Sequence, residues 1–134
     1  MAVLDPEASI IVIVDDDDAV RGALAFALGL EGFFVRAYAS AEALMASGPF
    51  PRRGCLVLDY RLPDTDGLLL LETLRGRGVT LPAILITTHP SRALRTEAGR
   101  VGMSIVEKPL ACDALTDQLR LMTAHAGSPA AHHA

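Results

Sequence analysis

Four times along the chain an apolar run of strand length ends on a side chain able to do chemistry. Ile10 to Val14 stops at Asp15 and Asp16, Cys55 to Leu58 at Asp59, and Ile84 to Ile86 at Thr87, while Ile105 and Val106 lead through Glu107 to Lys108. Carboxylates crowded into one site repel, and one of them takes up a proton unless a cation intervenes. Oxygen ligands favour a hard ion, and Mg2+ is held by one or two carboxylates together with waters and phosphate oxygens. Beside such an ion Asp59 is an ionised nucleophile able to attack phosphorus and form an aspartyl phosphate. Phosphoryl transfer asks mainly that the equatorial oxygens be neutralised and positioned. Mg2+ can take one, the Lys108 ammonium another, and the Thr87 hydroxyl or a loop amide the third. Alternation along a strand turns Glu107 away from Lys108 and leaves it out of the set.

These groups meet only if the runs are neighbouring parallel strands, and the segments between them support that. Val20, Leu24 and Leu28 repeat at helical spacing after the first run, with Asp17 or Asp18 as the cap and Glu31-Gly32 as the end. A second strand is expected over Phe33 to Ala37, then a short helix capped by Ser40 through Ala41, Leu44 and Met45. The loop-forming stretch Arg61 to Gly67 precedes a leucine-rich helix from Leu68 to Leu74, read as core. Leu81-Pro82 introduces the strand to Thr87, Ser91 to Arg100 is a helix with a thin apolar face, Met103 to Val106 is the fifth strand, and Leu115, Leu119 and Met122 mark the last helix.

Five β-then-α units predict an α/β fold with a parallel sheet covered on both faces. The expected form is a flavodoxin-like (βα)5 sheet of strand order 2-1-3-4-5. Its switch point falls between the first and third strands, where Asp15, Asp16 and Asp59 lie. The domain is expected over residues 9–124, with 1–8 as an N-terminal extension and 125–134 as a flexible tail.

A chain of 134 residues fits one domain. Hydrophobic residues at 51% and charged ones at 21% lie in the globular range, and no apolar stretch approaches the roughly 20 residues of a bilayer span. With no legible secretory signal, the expected compartment is cytoplasmic, without membrane attachment. Cys55 and Cys112 lack metal-ligand spacing and read as reduced apolar residues. A net charge of -4 argues against nucleic-acid binding by this domain, and the Arg52, Arg53 and Arg75, Arg77 pairs are too short to reverse that.

With these motifs in order, the chain resembles the receiver domains of response regulators in two-component signalling. The resemblance covers about Ser9 to Met122. It rests on Val14-Asp15-Asp16, on Leu58-Asp59 followed by Leu62-Pro63-Asp64 and Gly67, on Ile86-Thr87, and on Glu107-Lys108-Pro109. It implies that Asp59 is the phosphoacceptor and that Asp16 ligates Mg2+ directly, Asp15 through water and Arg61 through its main-chain carbonyl. Thr87 would be the switch hydroxyl and Lys108 the phosphate-pairing lysine, followed by an often cis Lys108-Pro109 bond. The donor would be a histidine kinase or histidine phosphotransfer protein. The output would go to a downstream protein through the surface of the fourth helix, fifth strand and fifth helix, where a homodimer can also form. Three departures bear on that output: Ile105 where an aromatic is usual, Thr88 where a smaller residue is common, and a Thr87–Ile105 stretch about one residue short.

Two competitors come from other readings of the same residues. One is the receiver portion of a longer transcriptional regulator. The other is an aspartyl-phosphate hydrolase of the haloacid dehalogenase type, with Asp15 as nucleophile and Asp17 as acid/base; a flavin carrier is disfavoured by four aspartates where a phosphate-cradling loop is needed. His89, His125, His132 and His133 have no matched carboxylate or ligand spacing and read as surface or tail residues; by motif position His89 and Arg61 also lie close enough to Asp59 to affect acyl-phosphate hydrolysis.

Overall fold

A computed structural model describes residues 9–108 and 112–127. Its elements are β1 (Ile10–Val14), α1 (Asp18–Leu30), β2 (Phe34–Tyr38), α2 (Ala41–Met45), β3 (Gly54–Asp59), α3 (Gly67–Gly76), β4 (Ala83–Thr87), α4 (Arg92–Arg100), β5 (Ser104–Glu107) and α5 (Cys112–Gly127). All strands are parallel, in the order β2-β1-β3-β4-β5. The predicted fold class and strand order are those observed.

The continuous apolar runs have the expected cause: every residue of β1, β3 and β4 is buried. Alternate side chains feed two cores. Ile10, Val12, Val14, Leu56, Leu58, Ala83 and Leu85 share one with Leu44 of α2, Leu70, Leu71 and Leu74 of α3, and Leu94 and Ala98 of α4. Ile11, Ile13, Cys55, Val57, Ile84 and Ile86 share the other with Leu24 and Leu28 of α1 and Leu115 and Leu119 of α5. Two core faces leave the strand ends as the place where the central strands meet solvent, so polar groups collect there.

Several boundaries move by a residue because ladder pairing, not hydropathy, defines a strand. β2 is Phe34–Tyr38 rather than Phe33 to Ala37, in register with all of β1. Pro82 lies just before β4, where its carbonyl still accepts from the Leu56 amide at 2.8 Å. β5 starts at Ser104 and includes Glu107, which is exposed and reaches Arg95 of α4 at 3.5 Å. Asp17 caps α1, accepting from the Ala19 and Val20 amides at 2.9 and 3.1 Å, and Asp18 pairs with Arg21 in the first turn. Ser40 and Ser91 cap α2 and α4 as expected. α5 continues past Ala124 to Gly127. Pro109 and residues 1–8 and 128–134 lie outside the described residues, as does the Cys112 side chain. Among the described residues no helix is long and apolar enough to cross a membrane.

Candidate functional site

The acidic groups converge at the carboxyl edge between β1 and β3. Asp15 follows β1 directly and is 1% exposed; Asp59 closes β3 and is 5% exposed; Asp16, one residue on, is exposed. Carboxylate oxygens of Asp15, Asp16 and Asp59 all lie within 4.8 Å of one another. On the other side, the Lys108 Nζ stands 3.2 Å from Asp59 Oδ2 and 4.0 Å from Asp15 Oδ2. The Lys108 backbone is placed by one more ladder bond, its amide donating to the Thr87 carbonyl at 2.8 Å. Lys108 is the sole lysine among the chain's 12 Lys and Arg residues. A compact ammonium suits a point contact where a planar guanidinium would fork.

The loop after β3 wraps the site. The Arg61 amide donates to Asp59 Oδ1 at 3.4 Å, Gly67 N donates to the Tyr60 carbonyl at 2.9 Å, and Arg61 pairs with Asp66 in an isolated bridge. Gly67 is required by contact rather than by conformation: a Cβ there would lie 2.5 Å from the Asp59 carbonyl oxygen and 2.7 Å from Leu85 Cδ1. Thr87 is buried, and its hydroxyl donates to the Thr88 carbonyl at 3.3 Å rather than to Asp59. Arg61, Thr87, Thr88 and His89 line one cleft of about 180 Å³ with Tyr60, Ser91 and Leu94. His89 is the one non-glycine residue with a positive φ, 49°, among the described residues. Ile105 is half-buried and packs against the α4-side core.

The donor set can hold a hard divalent ion. Asp15 Oδ2 is buried without a hydrogen-bond partner, the one such side-chain atom among the described residues. Burial first, and then the Asp59 charge, push the Asp15 carboxyl above the ordinary carboxylate range, against the lowering pull of the Asp17 amide and Lys108. A cation held by these carboxylates would supply the missing partner. Because the folded-state pKa of Asp15 is raised, its contribution to stability is full below the ordinary carboxylate pKa. That contribution is lost as pH rises through the folded value. Metal-free Asp15→Asn is therefore expected to be more stable than the parent near neutral pH, since the neutral amide removes a buried charge beside Asp59 whose burial costs about 1–3 kcal/mol or more. The melting temperature should rise by about 4 °C or more, with the gap closing in acid and Mg2+ shifting the parent further than the variant. Equal melting curves for the two metal-free proteins at neutral pH would refute it.

A family model for the response regulator receiver domain matches residues 11–120. The chain belongs to this family. The transcriptional regulatory protein FixJ of Rhizobium meliloti is 38% identical over 114 residues, which are 84% of this chain and 56% of FixJ. Among solved structures, FixJ-N superposes with a TM-score of 0.78 at 36% identity, over 87% of this chain and 94% of that one. A CheY-like receiver domain protein from Methanospirillum hungatei gives 0.79 at 25% identity, over 88% and 95%. The receiver chain described here spans about half the length of the curated FixJ relatives it matches. The chain is thus a receiver domain, and the arrangement at its acidic edge departs from the haloacid dehalogenase reading at Asp17. Its carboxylate serves as the α1 cap, with Oδ1 accepting from the Ala19 and Val20 amides.

Proposed function

We propose that this receiver domain, over residues 9–124, is a phosphorylation-dependent switch with Asp59 as acceptor. The observation that carries the reading is the placement of a buried Asp59 between a carboxylate pair and the Lys108 ammonium. In this reading an Asp59 oxygen attacks phosphorus of a phosphohistidine on a histidine kinase or phosphotransfer protein. The new P–O bond forms as the P–N bond breaks, and the imidazole leaves. Asp15, Asp16, Asp59 and the Arg61 carbonyl would hold Mg2+, which when bound neutralises phosphoryl charge. Lys108, already at Asp59, transfers its contact to a phosphoryl oxygen. Thr87 gives up the Thr88 carbonyl to donate to another.

Phosphorylation adds about -1.5 to -2 charge, and drawing Thr87 and Lys108 inward biases the surface of α4, β5 and α5. That surface is lightly held: α4 buries only Leu94 and Ala98, and the Arg95–Glu107 pair that ties it to β5 is exposed. Ile105, packed against α4, takes the place of an aromatic as the apolar link. A downstream protein or a second copy reads this surface. The net charge of -4 argues against nucleic acid as the partner of this domain. The reading places the domain in the cytoplasm, in keeping with the free, buried Cys55, whose thiol burial pushes up to about 12. Incubation with Mg2+ and a small acyl phosphate, followed by mass mapping, tests the proposal. Phosphate at Asp59 supports it, and steady turnover through Asp15 sinks it.

Half-length coverage of FixJ favours a second reading, the receiver portion of a longer transcriptional regulator. A host gene product no longer than this chain would end that reading. Arg61 and His89 lie across one cleft beside Thr87, where water must approach the acyl phosphate. Replacing either with Ala is expected to change the half-life of the phosphorylated protein by about threefold or more, roughly 0.7 kcal/mol in barrier. Unchanged lifetimes in both variants would remove them from the hydrolysis step.

A further inference from the structure

A helix of five residues cannot hold itself together, because nucleation orders several residues for one hydrogen bond. α2 is such a helix, and its first amides are taken by two side chains. Ser40 Oγ accepts from the Ala43 amide at 3.0 Å. The Ala41 and Glu42 amides donate to Asp64, one to each carboxylate oxygen, at 3.2 and 2.8 Å. Asp64 belongs to the β3–α3 loop, more than twenty residues further along. The same loop carries Arg61, and a charged acceptor on a helix N-terminus is stabilised by the backbone dipoles as well as by the bonds themselves.

Besides the Arg61 amide bond to Asp59 and the Arg61–Asp66 bridge, three side chains hold the loop. Leu62 packs against the core that includes Ala41 and Leu44. Asp66 Oδ1 caps α3 through the Leu69 amide at 2.8 Å. Asp64 is the polar link between them, and it ties the loop to a different element. Within the loop, Leu62 N donates to the Thr65 carbonyl at 3.1 Å, so a shift at Asp64 is passed to the Arg61–Leu62 peptide through a closed turn. A metal ligand has to be held to within about 0.5 Å of its working position.

We propose that Asp64 is a positioning residue of the Mg2+ site: by clamping the β3–α3 loop onto the N-terminus of α2, it fixes the Arg61 carbonyl and couples α2 to the metal. The proposal rests on the reading of Arg61 as a Mg2+ ligand. The coupling is reciprocal, so the ion that steadies the loop also steadies α2, and loss of the clamp weakens the ion.

The test compares the full chain with Asp64→Ala and Asp64→Asn by calorimetric Mg2+ titration and by amide hydrogen exchange at Ala41 and Glu42. In the parent, Mg2+ is expected to slow exchange at both amides. In Asp64→Ala, Mg2+ binding is expected to weaken about fivefold to tenfold, within the usual range of such couplings, and the exchange to become fast and indifferent to Mg2+. Asp64→Asn keeps one acceptor oxygen and should fall between. Asp64 is exposed, so both variants are expected to fold. Parent-like Mg2+ affinity in Asp64→Ala, even with fast exchange in α2, would overturn the proposal and leave Asp64 a helix cap. Absence of Mg2+ binding by the parent itself would overturn the metal reading as well, which separates the two failures.

Discussion

Asp59→Asn is expected to abolish phosphorylation by a small acyl phosphate in the presence of Mg2+, read as the complete loss of the base-labile mass increment. The substitution keeps the shape of the side chain and replaces a carboxylate oxygen nucleophile with an amide. The fold should survive it. Lys108 loses its 3.2 Å partner but keeps Asp15 at 4.0 Å, while the repulsion between Asp59 and Asp15 disappears. These two changes oppose each other, and the net effect on stability is expected to stay within about 1 kcal/mol, as for most substitutions that leave no charge stranded. Loss of labelling is then a statement about chemistry rather than about unfolding. Phosphate carried by Asp15 or Asp16 in this variant would show that the acceptor had been misassigned.

Gly54→Ala is expected to be the most damaging single methyl that can be added to the sheet. Gly54 opens β3 with φ at 144°, a conformation open to glycine and strained for other residues. It is buried opposite Ile10, and a Cβ would lie 1.8 Å from the Ile10 carbonyl oxygen. No rotamer relieves that overlap, because the Cβ position is set by the Gly54 backbone and the atom it meets is also backbone. The β1–β3 ladder must open at its first pair, next to the bond from the Ile10 amide to the Arg53 carbonyl at 3.0 Å. A cost of roughly 3–5 kcal/mol is expected, in the range reserved for disrupted cores and strained backbone. Against a total stability of about 5–15 kcal/mol for an ordinary domain, much of the protein should unfold in mild denaturant. Urea unfolding followed by circular dichroism measures this, and a shift of less than about 1 kcal/mol, the middle of the usual range, would show that the backbone at Gly54 is softer than the structure implies.

The parallel sheet, its order and the edge on which chemistry collects are all legible in the residues alone. Fully buried strands must be unbroken apolar runs, and covering helices must repeat every three to four residues. Both patterns are local, so Ile10 to Val14 or Leu24 with Leu28 could be read without knowing what they touch. For the same reason Asp15, Asp16, Asp59, Thr87 and Lys108 were legible as strand ends before any distance between them was known. Tertiary structure alone decided the rest. It chose Asp17 over Asp18 as the α1 cap, moved Glu107 into β5, turned the Thr87 hydroxyl toward Thr88, left Asp15 Oδ2 without a hydrogen-bond partner and set Asp64 on the amides of α2. Each depends on register between strands or on contact between elements far apart in the chain, and a side chain's partner across such a gap leaves no period in its own neighbourhood.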